Sequence, residues 1–303
     1  MLIVAPVTMT ENGEPCSNGY ATLPGTVSIP EPVMSQARHA ATFRHLHDDG
    51  LLLLANAWDA GSARLIENLG AAAIATTSAG LAWAHGYRDG SHLPIRHLVD
   101  TVAGIARVIG VPLSVDFEDG YATDPAAVAD HAGRVIDAGA VGINIEDGAD
   151  DPDLLVAKIE QIKRVAAGRG VDLFVNARTD VYLRGLVGKE RRVEETLARA
   201  KRYRDVGADG LFVPGLADAE QIGEVVAAAD LPLNLMAVPE LPTAGELEAL
   251  GVRRLSAGAS ISISALSHTA RLASDFLHRS SDADGAKKLD YGAINALFDD
   301  GDR

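Results

Sequence analysis

The sequence predicts an α/β protein built as a TIM-type (β/α)8 barrel, and two observations lead to this fold class. Short apolar runs alternate with amphipathic helical patterns along the chain, and eight of these runs qualify as strands. Four of them follow a glycine that ends the preceding helical pattern, at positions 70, 139, 207 and 251. Eight βα units with strands that are apolar on both faces favour a closed parallel barrel. A doubly wound open sheet uses the same units and is the alternative.

The elements follow one another in a regular order. The predicted strands cover residues 51–55, 73–77, 113–117, 141–145, 173–177, 210–213, 233–236 and 254–257. Helical patterns such as residues 126–138 and 194–206 lie between consecutive strands. The barrel domain is therefore expected over residues 36–278. A flexible leader is expected over residues 1–35, and a tail with a short helix at 291–298 is expected over residues 279–303.

The amino-acid composition argues against two classes of binding partner, nucleic acids and membranes. The 303 residues include 27 Lys and Arg against 42 Asp and Glu, a net charge of −15, which repels nucleic-acid phosphates and anionic lipid. Aliphatic runs such as residues 51–55 are far shorter than the roughly 18 residues of a membrane span. Cys16 is the only cysteine, which argues against a disulfide framework and favours a cytoplasmic location. The expected partner is a small-molecule substrate, with no nucleic acid and no membrane.

Carboxylates cluster where barrel chemistry is expected, at the carboxyl ends of the strands. Asp116 and Glu118 end the third predicted strand, and strand alternation predicts that both face the same side. Glu146 ends the next strand, and Asp89 lies in the loop after the second. Oxygen ligands without His or Cys indicate Mg²⁺, with Mn²⁺ as a substitute. The alternative is that these acids cap the helices that follow them.

Other polar residues at the strand ends could bind an anionic substrate. Arg178 ends the fifth strand and offers a bidentate fork to a carboxylate, although a structural ion pair is the alternative. Thr77, Ser78 and Gly80 follow the second strand and could offer backbone N–H groups to a ligand oxygen. Asn234 is the polar residue of the seventh strand and could meet substrate or serve as a satisfied core amide.

Proton transfer needs a titratable group near the substrate. Tyr121 lies just beyond the acidic strand end, and His85 lies in the loop after the second strand. Both are candidate proton carriers, and a packing role is the alternative for each.

Five segments in this order carry a resemblance to a known superfamily. They are residues 56–64 (NAWDAGSAR), 77–80 (TSAG), 116–121 (DFEDGY), 145–147 (IED) and 177–180 (ARTD). Together they resemble the isocitrate lyase/phosphoenolpyruvate mutase superfamily over residues 38–278. The resemblance implies a Mg²⁺-dependent barrel that makes or breaks a bond next to a 2-oxo acid. It also implies a homo-oligomer, a dimer or a dimer of dimers (homotetramer), in which a swapped C-terminal helix packs on the neighbouring subunit.

The resemblance also assigns roles to residues. Asp116 would be the direct metal ligand. Three further carboxylates would hold metal-bound waters: Asp89, Glu118 and Glu146. Arg178 would clamp the carboxylate or phosphonate of the substrate, while Thr77 and Ser78 would meet its 2-oxo acid moiety.

One departure from the superfamily narrows the reaction. The lyase branch carries a catalytic Cys on a loop after the fourth strand, whereas residues 146–153 (EDGADDPD) hold neither Cys nor His. This argues against isocitrate cleavage by the usual acid. The expected activity is cleavage or decarboxylation at a C–C bond beside a 2-oxo or malate-like acid. The alternatives are P–C bond chemistry on a phosphonopyruvate-like substrate and a catalytically quiet barrel that binds 2-oxo acids.

Overall fold

The computed structural model describes residues 36–278 and 289–298. The predicted leader and much of the predicted tail lie outside these residues. In the described part, no helix combines the length and the apolar character needed to cross a membrane.

Parallel strands form the centre of the barrel domain. In the described residues they are β1 Leu52–Leu54, β2 Asn56–Ala57, β3 Ile74–Thr76, β4 Leu113–Asp116, β5 Gly142–Glu146, β6 Phe174–Arg178, β7 Gly210–Phe212, β8 Leu233–Met236 and β9 Arg254–Ser256. Their order in the sheet is β1-β9-β8-β7-β6-β5-β4-β3-β2. Each strand after β2 pairs in parallel with the next one along the chain, as βα units require.

The first strand of the barrel is split in two, and this split closes the barrel. β1 lies within the predicted residues 51–55, and β2 lies just beyond them. Leu52 pairs with Arg254 of β9, whereas Asn56 pairs with Ala75 of β3. β1 and β2 are the two end strands of the sheet order, and they are consecutive in the chain. The same segment therefore pairs with β9 on one side and with β3 on the other, which closes the sheet into a barrel. Strands of a barrel are staggered, and a strand therefore meets its two neighbours at different heights. The prediction of a (β/α)8 barrel is confirmed, and the alternative prediction of a doubly wound open sheet is wrong.

Helices surround the strands. They are α1 Gln36–His45, α2 Ala60–Asn68, α3 Ser78–Ala84, α4 Ile95–Ala106, α5 Pro125–Asp137, α6 Pro152–Gly168, α7 Arg192–Asp205, α8 Ala219–Ala228, α9 Ala244–Ala249, α10 Ser260–His278 and α11 Tyr291–Ala296. Their starts follow local rules: α5 and α6 each have an Asp cap followed by proline. The four glycines before strands all have positive φ, between 89° and 116°, as the punctuation predicts.

The amino-terminal end of the barrel is plugged by α1. Phe43 is fully buried, and a Cβ on Gly142 at the start of β5 would lie 2.6 Å from the Phe43 ring. The same ring meets Phe174 of β6 edge-on, with centroids 5.5 Å apart. Glycine at position 142 therefore makes room for the plug, and an open site is left at the carboxyl ends of the strands.

Helix α10 follows the last strand and occupies the position of the helix expected to swap between subunits. Its distal half exposes Leu272, Phe276 and Leu277. Packing of this helix on a neighbouring subunit stays a prediction.

Replacing Phe43 by Ala should lower the free energy of unfolding by about 3–5 kcal/mol, because the substitution leaves a cavity in the barrel plug. Urea unfolding followed by circular dichroism measures this change. Leu53→Ala is the matched control, since that side chain is 56% exposed and its loss should cost less than about 1 kcal/mol. Equal effects of the two substitutions would contradict the role of α1.

Candidate active site at the carboxyl ends of the strands

A cavity of about 600 Å³ lies at the carboxyl ends of the strands. Seven residues singled out from the sequence line it: Thr77, Ser78, Asp89, Asp116, Glu118, Glu146 and Arg178. They come from different βα units, and the barrel brings them together because its parallel strands all end on the same side.

Asp116 is the last residue of β4 and is held by the neighbouring strand end. Its backbone N–H donates to Thr76 Oγ1 at 2.8 Å, and its Oδ2 accepts from the backbone N–H of Ser78 at 3.0 Å. Ser78 is the first residue of α3, so a helix N-terminus faces this carboxylate. Asp116 therefore sits in a fixed orientation at the floor of the cavity.

Glu118 reaches the cavity in a different way from the one predicted. The strand ends at Asp116, and Glu118 has a φ of +49°, so strand alternation does not place it. This left-handed turn directs the Glu118 carboxylate to Ser91, whose backbone N–H and hydroxyl both donate to it. A non-glycine residue in this conformation is strained, which is common at functional sites.

Burial raises the pKa values of three carboxylates in the cavity, and neighbouring acidic charges add to the effect. Burial, with Asp89 and Asp116 nearby, raises the pKa of Glu118 to about 8. Burial likewise raises the pKa of Glu146 to about 7, even though Arg178 acts in the opposite direction. Burial and the Asp116 charge also raise the pKa of Asp89. Asp89, Glu118 and Glu146 are thus held in an environment that disfavours their ionised forms.

Arg178 is the last residue of β6 and is paired on two sides. Its Nη1 lies 2.7 Å from Glu146 Oε2, while Nε and Nη2 donate to the two oxygens of Asp180 at 2.7 and 3.1 Å. The structural ion pair considered above is therefore present. A guanidinium has five N–H bonds, so these contacts leave two of them for a ligand in the cavity.

A buried network behind the cavity fixes Asp180. Its backbone N–H donates to Asp147 Oδ1 at 3.0 Å, and Asp147 Oδ2 accepts from Arg199 Nη1 at 2.8 Å and from the Tyr203 hydroxyl at 2.6 Å. Asp147 and Asp180 are both buried. The network is fully hydrogen-bonded, so it holds Asp180, and through it Arg178, in one orientation.

The two candidate proton carriers do not line the cavity. His85 is exposed, its Nε2 lies 2.8 Å from Thr101 Oγ1, and its ring lies 4.9 Å from that of His97. The Tyr121 hydroxyl is buried next to the Glu118 carboxylate, although no hydrogen bond of good geometry joins them. Burial and the nearby Glu118 charge raise the pKa of Tyr121 well above its usual value.

Two of the candidate substrate-binding residues also lie away from the cavity surface. Asn234 is 1% exposed inside the barrel, where its Oδ1 accepts from Ser256 Oγ at 3.4 Å. Gly80 lies within α3, and a Cβ there would be 3.0 Å from the side chains of Trp58, Thr77 and Ser262. The absence of a side chain at Gly80 thus serves close packing of the helix.

The cavity wall also contains residues that were not singled out from the sequence, among them Asn56 and Tyr291. Asn56 lines the cavity, donates to the carbonyl of Thr76 at 2.6 Å and accepts from the N–H of Gly258 at 3.0 Å. Tyr291 belongs to α11, lines the cavity and donates to Asp89 Oδ2 at 2.7 Å. Asn56 is the first residue of segment 56–64, which carries part of the family resemblance, so it could have been proposed from the sequence. No pattern in the tail points to Tyr291.

The acidic residues fit a hydrated divalent cation better than a fully protein-coordinated one. Among residues 36–278 and 289–298, no three His, Cys, Asp or Glu side chains are arranged to hold a metal directly. Mg²⁺ commonly takes one or two carboxylates and keeps several waters. Asp89 Oδ1 is buried and lacks a partner in the described structure. An unpaired oxygen within a group of repelling carboxylates is what a cation with its waters would satisfy.

These features define a (β/α)8-barrel protein with its polar site at the carboxyl ends of the strands. A family model for phosphoenolpyruvate phosphomutase matches residues 43–277. The chain therefore belongs to the phosphoenolpyruvate phosphomutase family, which lies within a superfamily of lyases and mutases. The resemblance stated from the five segments is confirmed.

Individual relatives show how far the similarity extends. An uncharacterized protein of Mycobacterium tuberculosis is 38% identical over 242 residues, covering 77% of this chain and 89% of the relative. An oxaloacetate decarboxylase of a Bradyrhizobium species is 31% identical over 213 residues, 65% of this chain and 70% of its own. The crystal structure of 2,3-dimethylmalate lyase is 25% identical with a TM-score of 0.71, covering 86% of this chain and 94% of that one.

The raised pKa of Glu118 predicts how stability depends on pH in EDTA. Between pH 4.5 and about 8 the folded chain holds a proton on Glu118 that the unfolded chain has released, so stability falls as pH rises through this window. One such proton contributes a slope of at most about 1.4 kcal/mol per pH unit. Urea unfolding in EDTA at pH 5, 6, 7 and 8 measures the slope.

Glu118→Gln removes the titrating group and should make the slope shallower. Glu224→Gln on α8 is the matched control, because that side chain is exposed, and it should leave the slope as in the unmodified chain. An unchanged slope in Glu118→Gln would show that Glu118 titrates normally.

Proposed function

We propose that the chain is a Mg²⁺-dependent carbon–carbon lyase or decarboxylase that acts beside the 2-oxo group of a small carboxylic acid. The observation that carries this proposal is the convergence of Asp89, Asp116, Glu118 and Glu146 with Arg178 in one cavity. A bound cation would offset the repulsion among the carboxylates, and the arginine beside them can bind an anion. A metal ion together with an anionic substrate would therefore fit this set of side chains.

The four acidic residues would bind the ion in two ways, directly and through its waters. Asp116 would be its direct ligand, and the other three carboxylates would accept hydrogen bonds from its waters. When bound, Mg²⁺ would supply Lewis acidity for the negative charge that develops on the 2-oxo oxygen as the neighbouring bond breaks, and Mn²⁺ would serve in its place.

Arg178 and the second strand end would orient the substrate. The two remaining N–H bonds of Arg178 suit a carboxylate, and the fixed position of the guanidinium lowers the entropic cost of binding. Thr77 is the residue at the N-terminus of α3, yet its side chain makes no capping hydrogen bond. Its hydroxyl is therefore available to a substrate oxygen, and Ser78 lies beside it.

Among the reactions of this class, decarboxylation requires the fewest proton-transfer groups from the protein. Cleavage of a hydroxy acid needs a base to remove the hydroxyl proton, whereas decarboxylation needs only a proton delivered afterwards. The described residues that line the cavity include no His, Cys or Lys. Similarity to an oxaloacetate decarboxylase supports the same preference.

The proposal is tested by proton and phosphorus NMR of the purified chain with oxaloacetate, alkylated malates, 2-methylisocitrate and phosphonopyruvate. Each is incubated with Mg²⁺ and with EDTA. Metal-dependent appearance of pyruvate or another 2-oxo acid from one of the three phosphorus-free substrates is the expected result. Transfer of phosphorus signal to phosphate or an ester would instead assign P–C bond chemistry. Binding of 2-oxo acids without any turnover would favour a quiet barrel.

Asp116→Ala should reduce kcat/KM at least 100-fold, because it removes the direct metal ligand. Arg178→Lys should reduce kcat/KM by about 10- to 100-fold, since lysine keeps the charge but loses the fork. Steady-state assays on the substrate found by NMR measure both effects. Asp205→Asn is the control and should leave kcat/KM unchanged, because Asp205 is exposed at the C-terminal end of α7 and does not line the cavity. Full activity of Asp116→Ala would refute the proposed metal site.

A further inference from the structure

The C-terminal helix α11 is fixed against the barrel by buried contacts. Ile294 is 1% exposed and packs in a small apolar cluster with Ala79 and Trp83 of α3. Leu289, two residues before the helix, exchanges hydrogen bonds with the Ser267 hydroxyl of α10 at 3.2 and 3.3 Å. Helix α11 is therefore held by both α3 and α10, so its polar side chains have defined positions.

Two polar side chains of α11 converge on Asp89. The Asn295 Oδ1 accepts from the backbone N–H of Asp89 at 2.8 Å and from Trp83 Nε1 at 3.1 Å. The Tyr291 hydroxyl donates to Asp89 Oδ2 at 2.7 Å. The backbone and the side chain of Asp89 are thus both held by one helix that is some 200 residues away in the sequence.

Asp89 needs such support because of where it lies. It belongs to the connection between α3 and α4, in which Gly86, Gly90 and Ser91 all have positive φ. A connection of this kind does not fix a side chain in the way that a strand end fixes Asp116. The contact with Tyr291 uses Oδ2, and it leaves Oδ1, which is buried, without a partner among the described residues.

We propose that Tyr291 is a positioning residue of the metal site, which holds the Asp89 carboxylate so that its second oxygen meets a water of the bound cation. This inference rests on the proposed function, because it assumes that the cavity binds a divalent ion. It extends the site from the barrel strands to the C-terminal segment of the chain.

The hydroxyl of Tyr291 accounts for this role better than the ring does. Tyr291 is 43% exposed, and its ring meets only the edge of the apolar cluster, at a tilt of 60° and 5.5 Å from the Trp83 ring. Ile294 supplies the buried contact instead. Replacing Tyr291 by Phe therefore keeps the packing of α11 and removes one hydrogen bond to a carboxylate.

The test is Mn²⁺ affinity of the full chain, measured from the electron paramagnetic resonance signal of the free ion. Tyr291→Phe should weaken binding by about 10-fold, the usual effect of removing a group that orients a metal-site carboxylate. Tyr182→Phe is the matched control: its hydroxyl donates to Gln221 at 2.8 Å, and its loss should leave Mn²⁺ affinity unchanged. Thermal unfolding of both variants checks that the fold is retained.

A double-mutant cycle separates action through Asp89 from a general effect. If Tyr291 acts through Asp89, Tyr291→Phe should weaken Mn²⁺ binding in the unmodified chain but cause no further loss in Asp89→Ala. Equal affinities of Tyr291→Phe and the unmodified chain would overturn the inference, and so would equal losses in both backgrounds. Absence of Mn²⁺ binding by the unmodified chain would overturn the proposed function and this inference together.

Discussion

Repulsion among carboxylates is the constraint on which the rest of the site depends. Asp89, Asp116, Glu118 and Glu146 share one cavity, and burial together with the charges of Asp89 and Asp116 raises the pKa of Glu118 to about 8. Such an arrangement lowers the stability of the empty protein unless the charges are compensated. Stability given up at a site in this way is typical of binding and catalytic centres, where a ligand restores it.

The surrounding structure keeps these groups together despite their repulsion. A helix N-terminus faces Asp116, the hydroxyl and N–H of Ser91 hold Glu118, and Arg178 neutralises Glu146. The Asp147 network fixes the second partner of Arg178 from behind. Asp116, Glu118 and Glu146 thus each have a donor from another βα unit, because the closed barrel brings all strand ends to one rim.

Much of the fold was predictable because it depends on local patterns. Apolar runs and glycines with positive φ mark the strands and the helix ends directly. The split of the first strand was not predictable, since it arises from the stagger of the whole barrel. Glu118 reaches the cavity through a left-handed turn, and His85 and Asn234 do not line it. Side-chain positions of this kind depend on tertiary packing, which the sequence pattern does not record. Tyr291 joins the site through contacts far apart in sequence, which no periodicity records.

The central claim is that the four carboxylates share a divalent cation. Its most direct test is an anomalous difference map from crystals of the full chain grown with Mn²⁺. The account predicts one strong peak in the cavity, within about 2.5 Å of an Asp116 carboxylate oxygen, with the other three carboxylates linked to it through waters. A cavity without a peak at saturating Mn²⁺, with these side chains in the arrangement described above, would contradict the claim.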